Sequence, residues 1–278
     1  MRKLSAAEVR ELQLNMLKYI DCICKENNLR YSLCYGTLIG AVRHNGFIPW
    51  DDDIDIIMPR NDMEQLIKLI DNSSNYGIAY VNTNDFYYYA FPKIYLKHTF
   101  LKSVTSNHQD ELMGYGVYID VFPIDGLPGS PESHNEFFYK INKEWRKVRQ
   151  CFDQCYYDKS YGKYSRIKNF LRSVWYFPIH IFRKVIGKEH YFNKFLGMIK
   201  QFDMDGSDYS GNLVSIYGKK ELLPSKVFKS YTSHSFENNQ FQIIAEYDYF
   251  LHSIYGDYMK LPPEESRVSP HLYEFYTD

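Results

Sequence analysis

The segment Trp50-Asp51-Asp52-Asp53-Ile54-Asp55-Ile56-Ile57-Met58 constrains this chain more than any other stretch of comparable length. Its β-branched content and the Pro59 that follows predict a strand over Ile54 to Met58. Side chains alternate between the faces of a strand, so Asp51, Asp53 and Asp55 share one face while Ile54 and Ile56 turn toward a core. Alternate residues lie about 7 Å apart, so two carboxylates can lean toward one cation or a close pair of cations. Left bare, such a patch of negative charge raises the pKa of its members. A divalent cation relieves this, and carboxylate oxygens suit Mg²⁺ or Mn²⁺ best. A solvated acidic turn is the plain alternative, and this segment alone leaves both open.

Two neighbours favour the cation. Upstream, Gly36-Thr37 lies at the end of a short predicted strand, where a glycine lets backbone N–H groups approach a phosphate. Downstream, Val117-Tyr118-Ile119-Asp120-Val121-Phe122 sets an acid among β-branched residues. An Asp in such a strand costs stability unless it has a partner, and a metal is a natural one.

The rest of the pattern predicts an α+β chain. Val9, Leu12, Met16, Tyr19, Ile20 and Ile23 recur at helical steps, and Ser5 with Glu8 has capping-box spacing, so a helix is expected from Ser5 to about Lys25. Strands are expected over 29–35, 78–81, 87–95 and 115–122, a helical turn over 38–43 and a helix from Asn61 or Asp62 to Ile70. Further helices are expected over 131–158 and 240–258, the last ended by Pro262-Pro263. The organisation expected is a core over 1–130 carrying a small mixed sheet with flanking helices, and a largely helical cover over 131–278. With 278 residues the chain suits one elaborated domain better than two.

Composition narrows the function classes. A net charge of −1 argues against bulk nucleic-acid binding, which needs a basic excess to displace counterions. The five cysteines, Cys22, Cys24, Cys34, Cys151 and Cys155, show no CxxC spacing and read as free thiols. His234, His252 and His271 have no metal-ligand spacing and read as structural or peripheral. The N-terminus lacks the uninterrupted apolar run of a signal peptide, and no stretch of about 20 apolar residues exists, so a cytoplasmic protein is expected.

A strand, Gly-Thr, a short helix, Asp-x-Asp and a third Asp on a later strand together resemble the polymerase-beta-like nucleotidyltransferases. More closely, the run from Cys34 to Asp55 resembles the signature of the LicD family of phosphocholine transferases, related to fukutin-type enzymes that transfer ribitol phosphate. Gly116 to Gly126 and Tyr255 to Pro263 match that family as well, so the resemblance covers about 10–270 and is weakest over 130–215. It implies transfer of a phospho-alcohol from a CDP-activated donor to a hydroxyl of a cell-surface glycan or its lipid-linked precursor, with Mg²⁺ or Mn²⁺. Asp53 and Asp55 match the metal-binding pair, Asp120 the third carboxylate, and Gly36-Thr37 the phosphate-contacting turn. Arg43 and Lys93 are candidate phosphate contacts, with a surface lysine the alternative for Lys93. If the donor carries choline, aromatic faces would hold it by cation–π attraction. Trp50, Tyr87, Tyr88, Tyr89 and Tyr95 are candidates, each also explicable as core packing.

Outside these motifs, the stretch Lys163 to Lys188 sets Lys and Arg around Trp175, Tyr176, Phe177, Ile181 and Phe182 with no acid. It reads either as a peripheral anchor on an anionic membrane or as a helix pair packed on the core with a basic outer face. Two other functional readings remain: a true nucleotidyltransferase, which releases pyrophosphate, and an inactive nucleotide-binding scaffold.

Overall fold

The first long helix starts where its sequence says it should. The Ser5 hydroxyl accepts from the Glu8 amide, and the Glu8 carboxylate accepts from the Ser5 amide at 2.8 Å, closing a reciprocal cap. Helix α1 (Ala6–Glu26) then buries Val9, Met16, Leu17 and Ile20 along one stripe. The computed structural model describes residues 1–71, 73, 75–103, 111, 114–152, 166–269 and 273–278, and over 166–173 the backbone alone. Cys155, His271, residues 153–158 of the expected helix and the side chains of the segment from Lys163 to Arg172 lie outside the described residues.

The main sheet is built from β2 (Ser32–Leu33), β3 (Asp55–Pro59), β7 (Tyr118–Gly126), β5 (Lys93–Leu96) and β4 (Tyr76–Ala79), hydrogen-bonded in that order. Only β3 and β7 run parallel; the other pairs are antiparallel. Helix α2 (Tyr35–His44) and helix α3 (Arg60–Asp71) flank β3 in sequence. Met58, Ile56, Ile119, Val121, Met63, Leu66 and Ile70 form a continuous core with the apolar stripe of α1. A second sheet joins β1 (Arg2–Lys3), β12 (Tyr273–Thr277) and β6 (Thr99–Ser103), so the two ends of the chain meet.

The second half is α+β in its own right. Helices α4 (Pro131–Arg149), α5 (Arg166–Ile186) and α6 (Lys188–Ile199) come first. Strands β8 (Tyr209–Gly211) and β9 (Leu223–Pro224) then extend the main sheet beyond the end of β7. A hairpin of β10 (Tyr231–Phe236) and β11 (Asn239–Ile244) rests on β2, where the Ile244 amide donates to the Ser32 hydroxyl at 2.9 Å. Helix α7 (Tyr247–Tyr255) follows.

Several element boundaries differ from the expected ones, each for a physical reason. Residues 240–244 are strand, and the helix expected over 240–258 begins only at Tyr247. The turn Glu237-Asn238 holds both residues at positive φ (49° and 57°), and Glu237 is tied down by accepting from the Phe47 amide at 3.0 Å. Tyr87 to Tyr89 are not strand: their segment closes on itself, Tyr87 donating to the Phe91 carbonyl at 2.7 Å, and β5 starts only after Pro92. The strand expected over 29–35 shrinks to Ser32–Leu33, because α2 begins at Tyr35.

Candidate functional site

Parallel pairing of β3 with β7 makes Asp55 and Asp120 register partners, and antiparallel pairing of β5 with β7 makes Lys93 the partner of Asp120. Asp55, Asp120 and Lys93 therefore stand in a row across three adjacent strands. Asp53, two residues before β3 in alternation with Asp55, joins them: carboxylate oxygens of Asp53, Asp55 and Asp120 all lie within 4.8 Å of one another. Asp51, Asp52 and Asp53 form a second such group, so Asp53 belongs to both. Burial pushes the Asp55 carboxyl well above the usual carboxylate range, Asp53, Asp120 and Asp51 push it further, and Lys93 opposes them.

Lys93 is not a surface lysine. It is 5% exposed, its ammonium donates to Asp120 Oδ1, and it sits 3.7 Å from the centre of the Tyr118 ring. Its charge thus answers part of the carboxylate charge from inside the sheet. The donor set suits a hard cation in the remaining space: every candidate ligand is a carboxylate oxygen, and the trio is compact enough to converge on one ion or a close pair.

The acids are held together from behind. Arg10 of α1 donates to the carbonyls of Pro49 at 2.8 Å and Asp51 at 2.9 Å, and Gln13 donates to that of Asp52 at 2.9 Å. With their carbonyls committed to α1, residues 49–52 cannot swing away to relieve the repulsion. Neither Arg10 nor Gln13 was anticipated. The available signal was Gln13, a polar residue on the apolar stripe between Val9 and Met16.

Gly36 and Thr37 lie in the first turn of α2, which starts at Tyr35, before the turn expected over 38–43. A Cβ on residue 36 would come within 2.5 Å of Asp51 Oδ2, so only glycine lets that carboxylate lie against the helix start. The Thr37 hydroxyl accepts from the Asp55 amide at 2.9 Å and keeps its own proton to donate. Tyr35, at the head of α2, has a left-handed φ of 46°. It is held by donating to Glu221 Oε1 at 2.5 Å and accepting from Asn212 at 3.2 Å. Glu221 is fully buried at the end of a 3₁₀ turn (Gly218–Glu221), Oε2 has no hydrogen-bond partner, and burial pushes its carboxyl up to about 8. Nothing in the run Gly218-Lys219-Lys220-Glu221 singles it out beforehand.

The remaining expected contacts lie around this centre. Arg43 donates to the Tyr258 carbonyl at 2.6 Å, and burial together with nearby Arg267 lowers its pKa. Trp50 is half-buried, with Arg267 5.7 Å from its ring centre and the His44 ring 6.4 Å away. Tyr87 is core, and Tyr95 packs over Gly77 in the β4–β5 pair. Tyr88 and Tyr89 instead begin a chain of half-buried rings. Centroid separations are 4.8 Å from Tyr88 to Tyr89, 5.6 Å on to Phe91 and 4.2 Å on to Phe122. From Phe122 the chain continues to Tyr35 at 5.0 Å and Tyr217 at 5.4 Å. Phe122 is two residues from Asp120 on β7, so these rings line the carboxylate face. His234 and His252 lie away from the acids, beside Tyr247 and Tyr258.

Comparison with known proteins agrees with this geometry. Residues 28–161 match the family model described as LicD/FKTN/FKRP, nucleotidyltransferase domain, a span that contains Gly36, Asp53, Asp55, Lys93 and Asp120. The chain is 30% identical over 287 aligned positions, 99% of each partner, to the lipopolysaccharide cholinephosphotransferase LicD of Haemophilus influenzae. It is also 42% identical over 62 residues to an uncharacterised protein of Rickettsia prowazekii, covering 22% of this chain and 23% of that one. A similar match, 45% over 51 residues, is found with an uncharacterised protein of Rickettsia typhi and covers 18% and 16%.

Proposed function

The chain belongs to the LicD family, and from that premise we propose that it transfers phosphocholine from a CDP-activated donor to a hydroxyl of a cell-surface glycan or its lipid-linked precursor, releasing CMP. The observation that carries the reading is the meeting of Asp53, Asp55 and Asp120 beside the head of α2, in a chain matched from end to end by a cholinephosphotransferase. Transfer of a phosphoryl-linked group asks little covalent chemistry of a protein; it asks for positioning and for neutralisation of charge.

Asp53, Asp55 and Asp120 are the residues that would hold Mg²⁺ or Mn²⁺. When bound, such an ion supplies positive charge to the donor's phosphates and to the departing CMP. The protein's own parts divide the remaining work. The amides of Gly36 and Thr37, in the first turn of α2, and the Thr37 hydroxyl face the acids and suit a phosphate oxygen. Lys93 keeps Asp120 in place by donating to one of its oxygens, and the Asp120 carboxylate is the group that would take the proton of the acceptor hydroxyl. Arg43 stands at the other end of α2 as a second cation for the donor. Trp50 and the rings of Tyr88, Tyr89, Phe91 and Phe122 offer faces to a quaternary ammonium, which has no hydrogen bond to make, at about 1–2 kcal/mol for each good contact. An acceptor built on a lipid would be met at a membrane surface, and among the described residues no helix is long and apolar enough to cross a membrane.

The test is to incubate the protein with a panel of CDP-alcohols, a divalent cation and candidate acceptors. CMP release should be fastest with CDP-choline and fall by about three orders of magnitude in Asp53→Asn and Asp55→Asn. Release of pyrophosphate from a nucleoside triphosphate would replace this reading with nucleotidyl transfer. Wild-type turnover in the Asn variants would remove both residues from the site.

A further inference from the structure

Between Asp158 and Glu189 the sequence holds eight Lys and Arg residues and no acid, although the whole chain carries a net charge of only −1. Helix α5 occupies most of that stretch. One side of it is anchored to the end of α4: His180 is buried with Nδ1 2.8 Å from the Gln150 carbonyl oxygen, and Cys151 Sγ lies 3.5 Å from the Arg183 carbonyl. Over the described side chains, from Val174 to Val185, the opposite side is exposed and apolar. At about 100° per residue, Val174, Trp175, Pro178, Ile181, Phe182 and Val185 share an arc of about 120° facing away from His180. Trp175 is 77% exposed, Phe182 64% and Val185 82%. Single exposed apolar residues are ordinary; a continuous helix face of them marks a binding surface.

What covers the face follows from the charge around it. A second copy of this chain would bring a second basic stretch against the first, a like-charge contact. An anionic lipid surface offers the opposite: phosphates for the Lys and Arg, and an acyl boundary that receives Trp and Phe. The helix is also placed where lipid contact bears on the site. Phe152, which follows α4, packs 6.3 Å from Tyr88, the outer ring of the aromatic chain that ends beside Asp120. Lys188, just after α5, donates to Asp85 at 2.8 Å and so clamps the segment that carries Tyr88.

We propose that α5 seats the protein on an anionic membrane surface, its Trp175, Phe182 and Val185 face entering the headgroup region and the basic charge of the stretch drawing it to lipid phosphates. The aromatic chain from Tyr88 to Phe122 then starts at the lipid, where an acceptor carried on a lipid anchor would present its hydroxyl. That delivery step rests on the transferase reading above; the lipid seat does not.

The full chain is floated with vesicles of phosphatidylcholine mixed with phosphatidylglycerol, and with vesicles of phosphatidylcholine alone. It should rise with the mixed vesicles only, and raising the salt should release it, as screening weakens the contact. Trp145 is buried and Trp50 half-buried, so a blue shift of tryptophan emission on binding should come from Trp175 and vanish in Trp175→Phe while flotation persists. The double variant Trp175→Ser/Phe182→Ser changes only exposed side chains and should partition about a hundredfold more weakly. Its CMP release with a short water-soluble acceptor should match that of the parent, which separates loss of the lipid seat from loss of turnover. A protein that stays at the bottom with both vesicles, floats equally with both, or floats as well after the double substitution overturns the inference. So does a concentration-dependent dimer that Phe182→Ser disperses, in the absence of flotation.

Discussion

Removing Lys93 should damage this protein more than removing the aspartate it holds. The two side chains are 5% and 6% exposed, and the ammonium donates directly to Asp120 Oδ1. Lys93→Met leaves Asp120 buried without its cation and facing Asp53 and Asp55, whose carboxylates lie within 4.8 Å. Breaking a buried pair from one side costs roughly 3–5 kcal/mol, and the lost contact with the Tyr118 ring adds about 1 kcal/mol, so a loss of about 5 kcal/mol is expected. Asp120→Asn is milder, about 2 kcal/mol, because Lys93 keeps Tyr118 and the two other acids for company. In the double variant the uncompensated charge is gone from both sides, so the losses should fall short of additive by about 2–3 kcal/mol. Urea unfolding followed by circular dichroism, in EDTA, measures all four species. Repeating it with excess Mg²⁺ should stabilise Lys93→Met more than the parent, because an ion at the trio replaces the missing charge. At about 100 times its Kd an ion adds about 2.7 kcal/mol. Strict additivity of the two substitutions, or identical Mg²⁺ effects on parent and Lys93→Met, would show that the lysine and the acids do not share one electrostatic site.

Other outcomes follow from neighbouring residues. Glu221 has its pKa raised from 4.5 to about 8, so its stabilising contribution is complete below about pH 4.5 and is lost as pH rises through 8. Glu221→Gln should therefore be close to neutral at pH 5 and stabilising by several kcal/mol (an upper bound of about 5) at pH 9, read from unfolding midpoints; a pH-independent difference would refute the assignment. Arg60→Met strands Asp125, which accepts from the guanidinium through both oxygens and which burial already pushes above the usual carboxylate range. The loss should be about 3–5 kcal/mol at pH 8 and smaller at pH 5, where Asp125 can take up a proton. Thr37→Val deletes the acceptor for the Asp55 amide and should cost about 1 kcal/mol in stability, with CMP release falling further than stability does; Thr37→Ser should restore both.

What the sequence revealed and what it hid divide along a physical line. The acids at and just before the start of β3 were legible because a strand has a period of two, and Asp120 because a carboxyl among Ile, Tyr and Val is conspicuous. The cap of α1 was legible because Ser5 and Glu8 are three apart and need nothing else from the fold. The β10–β11 hairpin was not, since its turn uses Glu-Asn in place of the Asn-Gly or Asp-Gly that announces such turns. Its left-handed Glu237 is held by Phe47, 190 residues away. Glu221 hides for the same reason. Its neighbours Lys219 and Lys220 suggest a solvated run, while its burial depends on Tyr35 and Asn212 arriving from elsewhere in the chain. Lys93 was visible as an oddity after Pro92, but its partner was fixed only by the register between β5 and β7. Local period and capping could be read; the partners of Glu237, Glu221 and Lys93, set by distant pairing, could not.

The same distinction explains why the site is held under electrostatic tension. Five aspartates, Asp51, Asp52, Asp53, Asp55 and Asp120, crowd the start of α2, where a freely moving chain would spread them. Each route of relaxation is blocked by a residue from another part of the fold. Arg10 and Gln13 hold the carbonyls of the acidic loop, Thr37 holds the Asp55 amide, the sheet register fixes Asp55 against Asp120, and Ser269 donates to Asp52. Lys93 meets part of this charge and Arg267 lies nearby over Trp50, yet the Asp55 carboxyl is still pushed upward. Repulsion that cannot be relieved by movement becomes affinity for positive charge, at the face where Gly36 lets the Asp51 carboxylate lie against the start of α2. Loosening the clamp should therefore weaken cation binding without touching a ligand: Gln13→Leu, which frees the Asp52 carbonyl, should raise the apparent Mg²⁺ requirement for CMP release several-fold while leaving CDP-choline saturation at high Mg²⁺ unchanged. An unchanged Mg²⁺ requirement would mean that the acidic loop keeps its shape without α1, and that the tension is not what attracts the ion.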